Sequence, residues 1–158
     1  MRIAIYPGSF DPFTNGHLDI LSRALEVFDK VIVLVAVNSA KKSTFSTQER
    51  VAFLKEALKD LPNVEVDSYE GLTVDYAKKT GARHIIRGLR AVTDFEYEFQ
   101  LASANRFADP GIDMVFFMAS SSHSFISSSV VNELRRNGAD VSSLVPEPVL
   151  KAYEKKGI

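Results

Sequence analysis

Short apolar runs of strand length alternate along this chain with segments whose apolar residues recur every three or four positions. No other feature restricts the fold as much. Strands separated by helices become parallel neighbours through right-handed crossovers, with helices covering both faces of the sheet. The sequence predicts strands at Arg2–Tyr6, Lys30–Val37, Val64–Tyr69, His84–Arg87 and Ile112–Met118. The second of these, rich in Val, reads as buried on both faces. Leu18, Leu21, Leu25 and Phe28 form a helical stripe after the first strand. Ser46 and Glu49 make a capping box ahead of a helix that buries Val51, Leu54, Leu58 and Leu61. Thr73–Lys79 is a short helix stopped at Gly81, and Thr93 with Glu96 caps a longer one reaching Phe107. A helix beginning in Ser127–Ser129 ends before Gly138, and Pro146–Lys156 forms the last. The expected class is α/β, a Rossmann-like five-stranded parallel sheet in the order 3-2-1-4-5 with helices on both faces. Its switch point falls between strands one and four, where ligands bind at the carboxyl ends.

A chain of 158 residues with no repeat or flexible linker fits one domain over 1–158. Its 19 Lys and Arg against 20 Asp and Glu leave a net charge of −1. No general field then draws in nucleic acid or anionic lipid, and any anion site must be local. The lack of Cys excludes disulfides, thiolate chemistry and the common structural zinc sites. The longest apolar run, Val31–Val37, is far short of the ~18 residues that span a bilayer. The opening residues make too weak a secretory signal. A soluble, cytoplasmic protein without nucleic-acid or membrane partners is expected.

Three predicted loops at strand ends carry chemistry. The first is Pro7-Gly8-Ser9-Phe10-Asp11-Pro12-Phe13-Thr14-Asn15-Gly16-His17, the second Arg87-Gly88-Leu89-Arg90, and the third runs from Ser120 to Ser129. They offer hydroxyls, guanidinium groups, an imidazole and helix N-termini, all suited to oxyanions. The spacing of the glycines excludes the dinucleotide fingerprint, and no P-loop, Gly-x-Ser-x-Gly or His-Glu-x-x-His motif occurs. In Thr14-Asn15-Gly16-His17, Gly16 is expected to permit a tight turn into the first helix. His17 would then sit in its first turn, facing the ligand crevice. Alone, the same four residues read as a capping Thr before a surface His.

Thr14–His17 together with Ile126-Ser127-Ser128-Ser129 resembles the T/HxGH and ISSS signatures of the nucleotidylyltransferase superfamily. Arg87-Gly88-Leu89-Arg90-Ala91-Val92-Thr93-Asp94-Phe95-Glu96-Tyr97-Glu98 is narrower and resembles the bacterial phosphopantetheine adenylyltransferases. The likeness extends over essentially the whole chain. It implies reversible adenylyl transfer from ATP to 4′-phosphopantetheine, giving dephospho-coenzyme A and pyrophosphate, with Mg²⁺ and a homohexameric assembly. It implies that Ser9 and His17 contact the reacting phosphates, with Thr14 orienting that site. Phe10 would lie with Ser9 under the nucleotide, and Lys41 and Arg87 would hold the acceptor phosphate. Gly88, Leu89 and Arg90 would contact ATP, joined by Glu98. His123, Ser124, Phe125, Ile126, Ser127, Ser128 and Ser129 would wrap the adenine and the β and γ phosphates, and Thr73 would line the pantetheine arm. Ser9 stands where many members have Thr, and His123 where many have Trp or Tyr.

Read without the resemblance, several of these residues have plainer explanations. Lys41-Lys42 is a solvated pair, Arg90 can pair with Asp94 or Glu96, and Glu98 is a surface carboxylate. Phe10 and Phe13 are packing residues, and His84 belongs to the core or a sheet edge. Phe95, Phe99, Ala102 and Phe107 belong to the core or to a subunit interface. A sister transferase acting on nicotinamide mononucleotide or an alcohol phosphate is the nearest rival, and a non-catalytic nucleotide-binding module the more distant one.

Overall fold

The computed structural model describes residues 1–158. Its parallel sheet has the expected order β3-β2-β1-β4-β5. The strands are β1 (Ile3–Gly8), β2 (Lys30–Ala36), β3 (Val64–Tyr69), β4 (His84–Leu89) and β5 (Asp113–Met118). The helices are α1 (Asn15–Ala24), α2 (Thr47–Ala57), α3 (Thr73–Thr80), α4 (Val92–Ala108), α5 (Ser128–Arg136) and α6 (Glu147–Lys156). None is long and apolar enough to cross a membrane.

Strand alternation sorts the side chains into two layers. Ala4, Tyr6, Val31, Val33, Val35 and Ile86 point to the face covered by α1, α2, α5 and α6. Ile5, Ile32, Leu34 and Ile85 point to the other, where Val74, Tyr76 and Ala77 of α3 meet them. Helix ends follow their capping chemistry. Ser46 Oγ accepts from Glu49 N at 3.1 Å, and Glu49 Oε2 accepts from Ser46 N at 2.8 Å. Gly138, with φ +82°, closes α5: its N–H reaches Arg135 O while Ala139 N–H reaches Leu134 O.

Two expectations change. The cap of α4 is not Thr93 with Glu96. The helix starts two residues earlier, with Ala91 at the N-cap, because Asp94 Oδ2 accepts from the backbone N–H of Arg90 and Ala91 at 3.0 and 3.2 Å. Strands β1 and β4 also run two residues further than the apolar pattern suggests. β1 pairs with β2 over six residues but with β4 only at Ala4↔His84 and Ile5↔Ile85. Beyond Ile5 it is locally an edge, which is where a strand tolerates Pro7.

That parting of β1 from β4 opens a crevice at the carboxyl end of the sheet, at the predicted switch point. Leu54, fully buried among the side chains under α2, tests the packing that supports it. Leu54→Ala should cost about 2–5 kcal/mol, read as a lower urea midpoint with an unchanged slope.

Candidate active site

Between the diverging ends of β1 and β4 lies a cavity of about 330 Å³. Its walls come from the loop after β1, the start of α1, the end of β4, the first turns of α4, and the loop entering α5. Three helices therefore present their N-termini around one space, a favourable setting for anions.

His17 is the best-defined group there. Thr14 is the N-cap of α1, and its Oγ1 accepts from His17 N at 3.3 Å. The ring returns the contact: Thr14 N–H donates to His17 Nδ1 at 3.0 Å. A backbone N–H can only donate, so Nδ1 must be the unprotonated nitrogen and the proton sits on Nε2. Packing fixes the ring plane. Phe13 stacks on it with centroids 5.5 Å apart, and Phe10 meets it edge-on at 5.1 Å. Burial, reinforced by the positive charges of Arg90 and Arg87, lowers its pKa to about 4. The imidazole is thus neutral at pH 7 and is a hydrogen-bond donor through Nε2.

The loop that carries these groups is held from both sides. Asp11 accepts from the N–H of Thr44 and Phe45, each at 2.8 Å, and Arg50 Nη1 donates to Ser9 O at 2.8 Å. On the other flank Ser128 Oγ donates to Pro12 O at 2.7 Å and Asn132 Nδ2 to Asp11 O at 2.9 Å. Gly16 is not what turns the chain. The left-handed residue is Phe10, at φ +47° and almost fully buried. Gly8 makes room for it, since a Cβ there would come within 3.0–3.2 Å of the Phe10 ring. At Gly16 the tightest neighbours of a Cβ would be Thr14 Oγ1 at 3.4 Å and Ile126 O at 3.5 Å, so its smallness serves the approach of the serine loop.

Arg87, on β4, faces the cavity with its guanidinium gripped by Glu98 and with Nη1 3.5 Å from Pro7 O. Burial opposes its charge, but the hydrogen bonds and charge of Glu98 outweigh it and hold the pKa above the usual guanidinium value. Arg90 is more exposed, 3.6 Å from Asp94. Across the space, Ser127 Oγ caps α5 by accepting from Val130 N at 3.2 Å. His123 Nδ1 contacts Ser120 Oγ at 2.7 Å and Ser122 Oγ at 3.1 Å.

Comparison with known proteins gives the family. Residues 5–134 match the cytidylyltransferase-like family. The chain is 51% identical to the phosphopantetheine adenylyltransferase of Caldanaerobacter subterraneus subsp. tengcongensis, over 99% of this chain and 98% of that one. Identity to the protein of the same name from Desulforudis audaxviator is 53%, over 99% and 96%. For that of Roseiflexus castenholzii it is 56%, over 98% and 97%. The chain belongs to the phosphopantetheine adenylyltransferase family.

Of the residues that family resemblance singles out, the cavity gathers Ser9, Phe10, Thr14, His17, Arg87, Gly88, Arg90, Glu98, His123 and Ile126–Ser129. Lys41, Thr73, Leu89, Ser124 and Phe125 do not line it. Lys41 is exposed on the segment after β2, and Thr73 opens α3 just beyond β3, so both stand at the same carboxyl edge of the sheet. Tyr6, Ile20, Asp94 and Ala119 line the cavity without having been singled out from sequence. Asp94 was legible only as a possible partner of Arg90. Glu98 departs from the plain reading of a surface carboxylate, being only 5% exposed. Phe95, Phe99 and Phe107 are exposed and lie outside this chain's core.

The His17 environment has a pH signature. The unfolded imidazole titrates near 6.5 and the folded one near 4, so the unfolded chain binds the extra proton in between. The stability tied to this group is complete above about pH 6.5 and is lost as the pH falls towards 4. The loss amounts to about 3 kcal/mol. Urea midpoints measured across that range should fall more steeply for wild type than for His17→Gln, and parallel slopes would contradict a buried neutral ring.

Proposed function

We propose that the chain catalyses reversible adenylyl transfer from ATP to 4′-phosphopantetheine, forming dephospho-coenzyme A and pyrophosphate. The observation that carries the reading is the neutral, Nε2-protonated His17. It is fixed beside two arginines and three helix N-termini, in a chain about half identical to phosphopantetheine adenylyltransferases over nearly its full length.

In this reading a phosphate oxygen of the acceptor attacks the α-phosphorus of ATP. The new P–O bond forms as the bond to the bridging oxygen of pyrophosphate breaks in line. No protein nucleophile takes part, so the chain contributes positioning and charge stabilisation. His17 Nε2–H donates to an α-phosphate oxygen as charge builds in the five-coordinate transition state, and Thr14 holds the tautomer that allows it. Arg90 binds the ATP phosphates, Gly88, Leu89 and Glu98 contact ATP beside it, and Ser9 and Phe10 underlie the nucleotide. His123 and Ser124–Ser129 surround the adenine, with the serines and the α5 N-terminus receiving the β and γ phosphates. Arg87 and Lys41 hold the acceptor phosphate, and Thr73 flanks the pantetheine arm from the same edge of the sheet.

Magnesium would arrive with the nucleotide, without a protein cage of its own. The cavity's carboxylates, Asp94 and Glu98, are engaged by Arg90 and Arg87, and no three acidic or His side chains cluster to form a cage. When bound it neutralises phosphate charge. Self-association, up to a homohexamer, belongs to the same proposal. The exposed aromatics of α4, Phe95, Tyr97, Phe99 and Phe107, supply an apolar face that a second copy could cover. With ATP as the donor, the setting proposed is cytoplasmic.

Incubation with ATP, magnesium and phosphopantetheine should yield dephospho-coenzyme A by mass and release pyrophosphate. Turnover with nicotinamide mononucleotide and none with phosphopantetheine would reject the reading. His17→Ala should lower kcat by about 10²–10³-fold. A change confined to KM would reject its donor role.

A further inference from the structure

No residue of helix α6 lines the cavity. Yet one of its side chains, Tyr153, stands behind both anchorages of the loop that carries His17. Tyr153 is 1% exposed. Its ring packs edge-on against Phe45 with centroids 5.0 Å apart, and the N–H of Phe45 donates to the Asp11 carboxylate at 2.8 Å. Its hydroxyl donates to Oδ1 of Asn132 on α5, and Asn132 Nδ2 donates to Asp11 O at 2.9 Å.

The direction of these bonds is forced. Asp11 O is a carbonyl oxygen and can only accept, so Asn132 must turn its NH2 group towards it. The amide oxygen then faces Tyr153, whose hydroxyl has to donate. Burial, with the negative charge of Asp11 adding to it, holds the Tyr153 pKa above the usual phenol value, so that proton stays in place. An amide turned over would set two oxygens face to face at Asp11.

Packing alone does not call for the hydroxyl, since a phenylalanine would fill the same place in the core. What the hydroxyl adds is the orientation of one amide, and through it the placing of one carbonyl. From Asp11 the chain passes to Pro12, whose own carbonyl is held by Ser128 Oγ. It continues to Phe13, which stacks on the His17 ring, and to Thr14, whose N–H fixes the tautomer. A shift at Asp11 O is therefore a shift of the groups that aim the imidazole.

We propose that Tyr153, acting through the Asn132 amide, is a positioning residue for the imidazole of His17. The proposal rests on the reading of His17 as the donor to the transferring phosphate. It gives α6 a part in catalysis from outside the cavity.

The test uses the full-length protein with Tyr153→Phe, Asn132→Ala and the two combined, and with Tyr153→Phe added to His17→Ala. Rates and KM values for both substrates are read from pyrophosphate release, and the His17 ring nitrogens by NMR. Tyr153→Phe should lower kcat by about 3- to 10-fold, the scale of one hydrogen bond. Both KM values should stay within about twofold of wild type. The double variant should match Asn132→Ala, and Tyr153→Phe should add nothing to His17→Ala. The His17 nitrogen signals should move, while those of His84, at the amino end of β4, stay put. Asn132→Asp keeps the side-chain volume but sets an oxygen against Asp11 O, and should lower kcat by up to about 10²-fold. It also serves should Asn132→Ala fail to fold. A lower urea midpoint with wild-type kcat and unmoved His17 signals would reduce Tyr153 to packing and overturn the proposal. Wild-type kcat in Asn132→Asp, or a further loss on adding Tyr153→Phe to His17→Ala, would overturn it too. A His17→Ala variant with wild-type kcat would reject the donor reading itself, and this proposal with it.

Discussion

The reciprocal contact between Thr14 and His17 is the interaction on which the site depends. In most helices a capping residue satisfies an otherwise free N–H and nothing more. Here the side chain that returns the bond is an imidazole, so one pair of contacts ends the loop, starts α1 and fixes a tautomer. The same step that saturates Nδ1 leaves Nε2 as the donor. Phe10 and Phe13 then hold the ring and bury it, and burial keeps it uncharged. A neutral donor beside two cationic arginines is the arrangement that electrostatic stabilisation of a phosphoryl transition state calls for.

Preorganisation extends outwards from that pair. The loop between β1 and α1 is tied to the start of α2 through Asp11 and Arg50, and to α5 through Pro12, Ser128 and Asn132. Segments distant in sequence therefore meet on the backbone carbonyls and the Asp11 carboxylate of one loop. The sheet determines where this happens. Because β4 pairs with β1 only at its start, their carboxyl ends separate and leave a space that helix N-termini can surround.

The fold was legible because its signals are redundant. Five apolar runs, intervening helical periods, the Ser46–Glu49 box and the glycine after α5 all point to one topology. Loop chemistry also located most of the cavity, since three unusual segments follow strands that the order 3-2-1-4-5 brings to one region. What stayed hidden depends on tertiary partners. Helical periodicity places Glu98 among polar surface positions, and only the side chain of Arg87 on β4 explains its burial. The left-handed Phe10 carries no local signature, because its backbone is held by ring packing over Gly8 and against His17. The true cap of α4 was missed because a Thr and a Glu three residues apart look like a box, while Asp94 does the capping. Lys41 and Thr73 stand at the correct edge of the sheet but outside the cavity wall, a distinction that sequence spacing does not encode.

The central claim is a statement about one proton, and nitrogen NMR of the histidine side chains reads it directly. At pH 7 the account predicts that His17 shows a protonated Nε2 and an unprotonated Nδ1, and that this pattern persists as the pH is lowered to about 5. A protonated Nδ1, or an imidazolium already formed near neutrality, would contradict it.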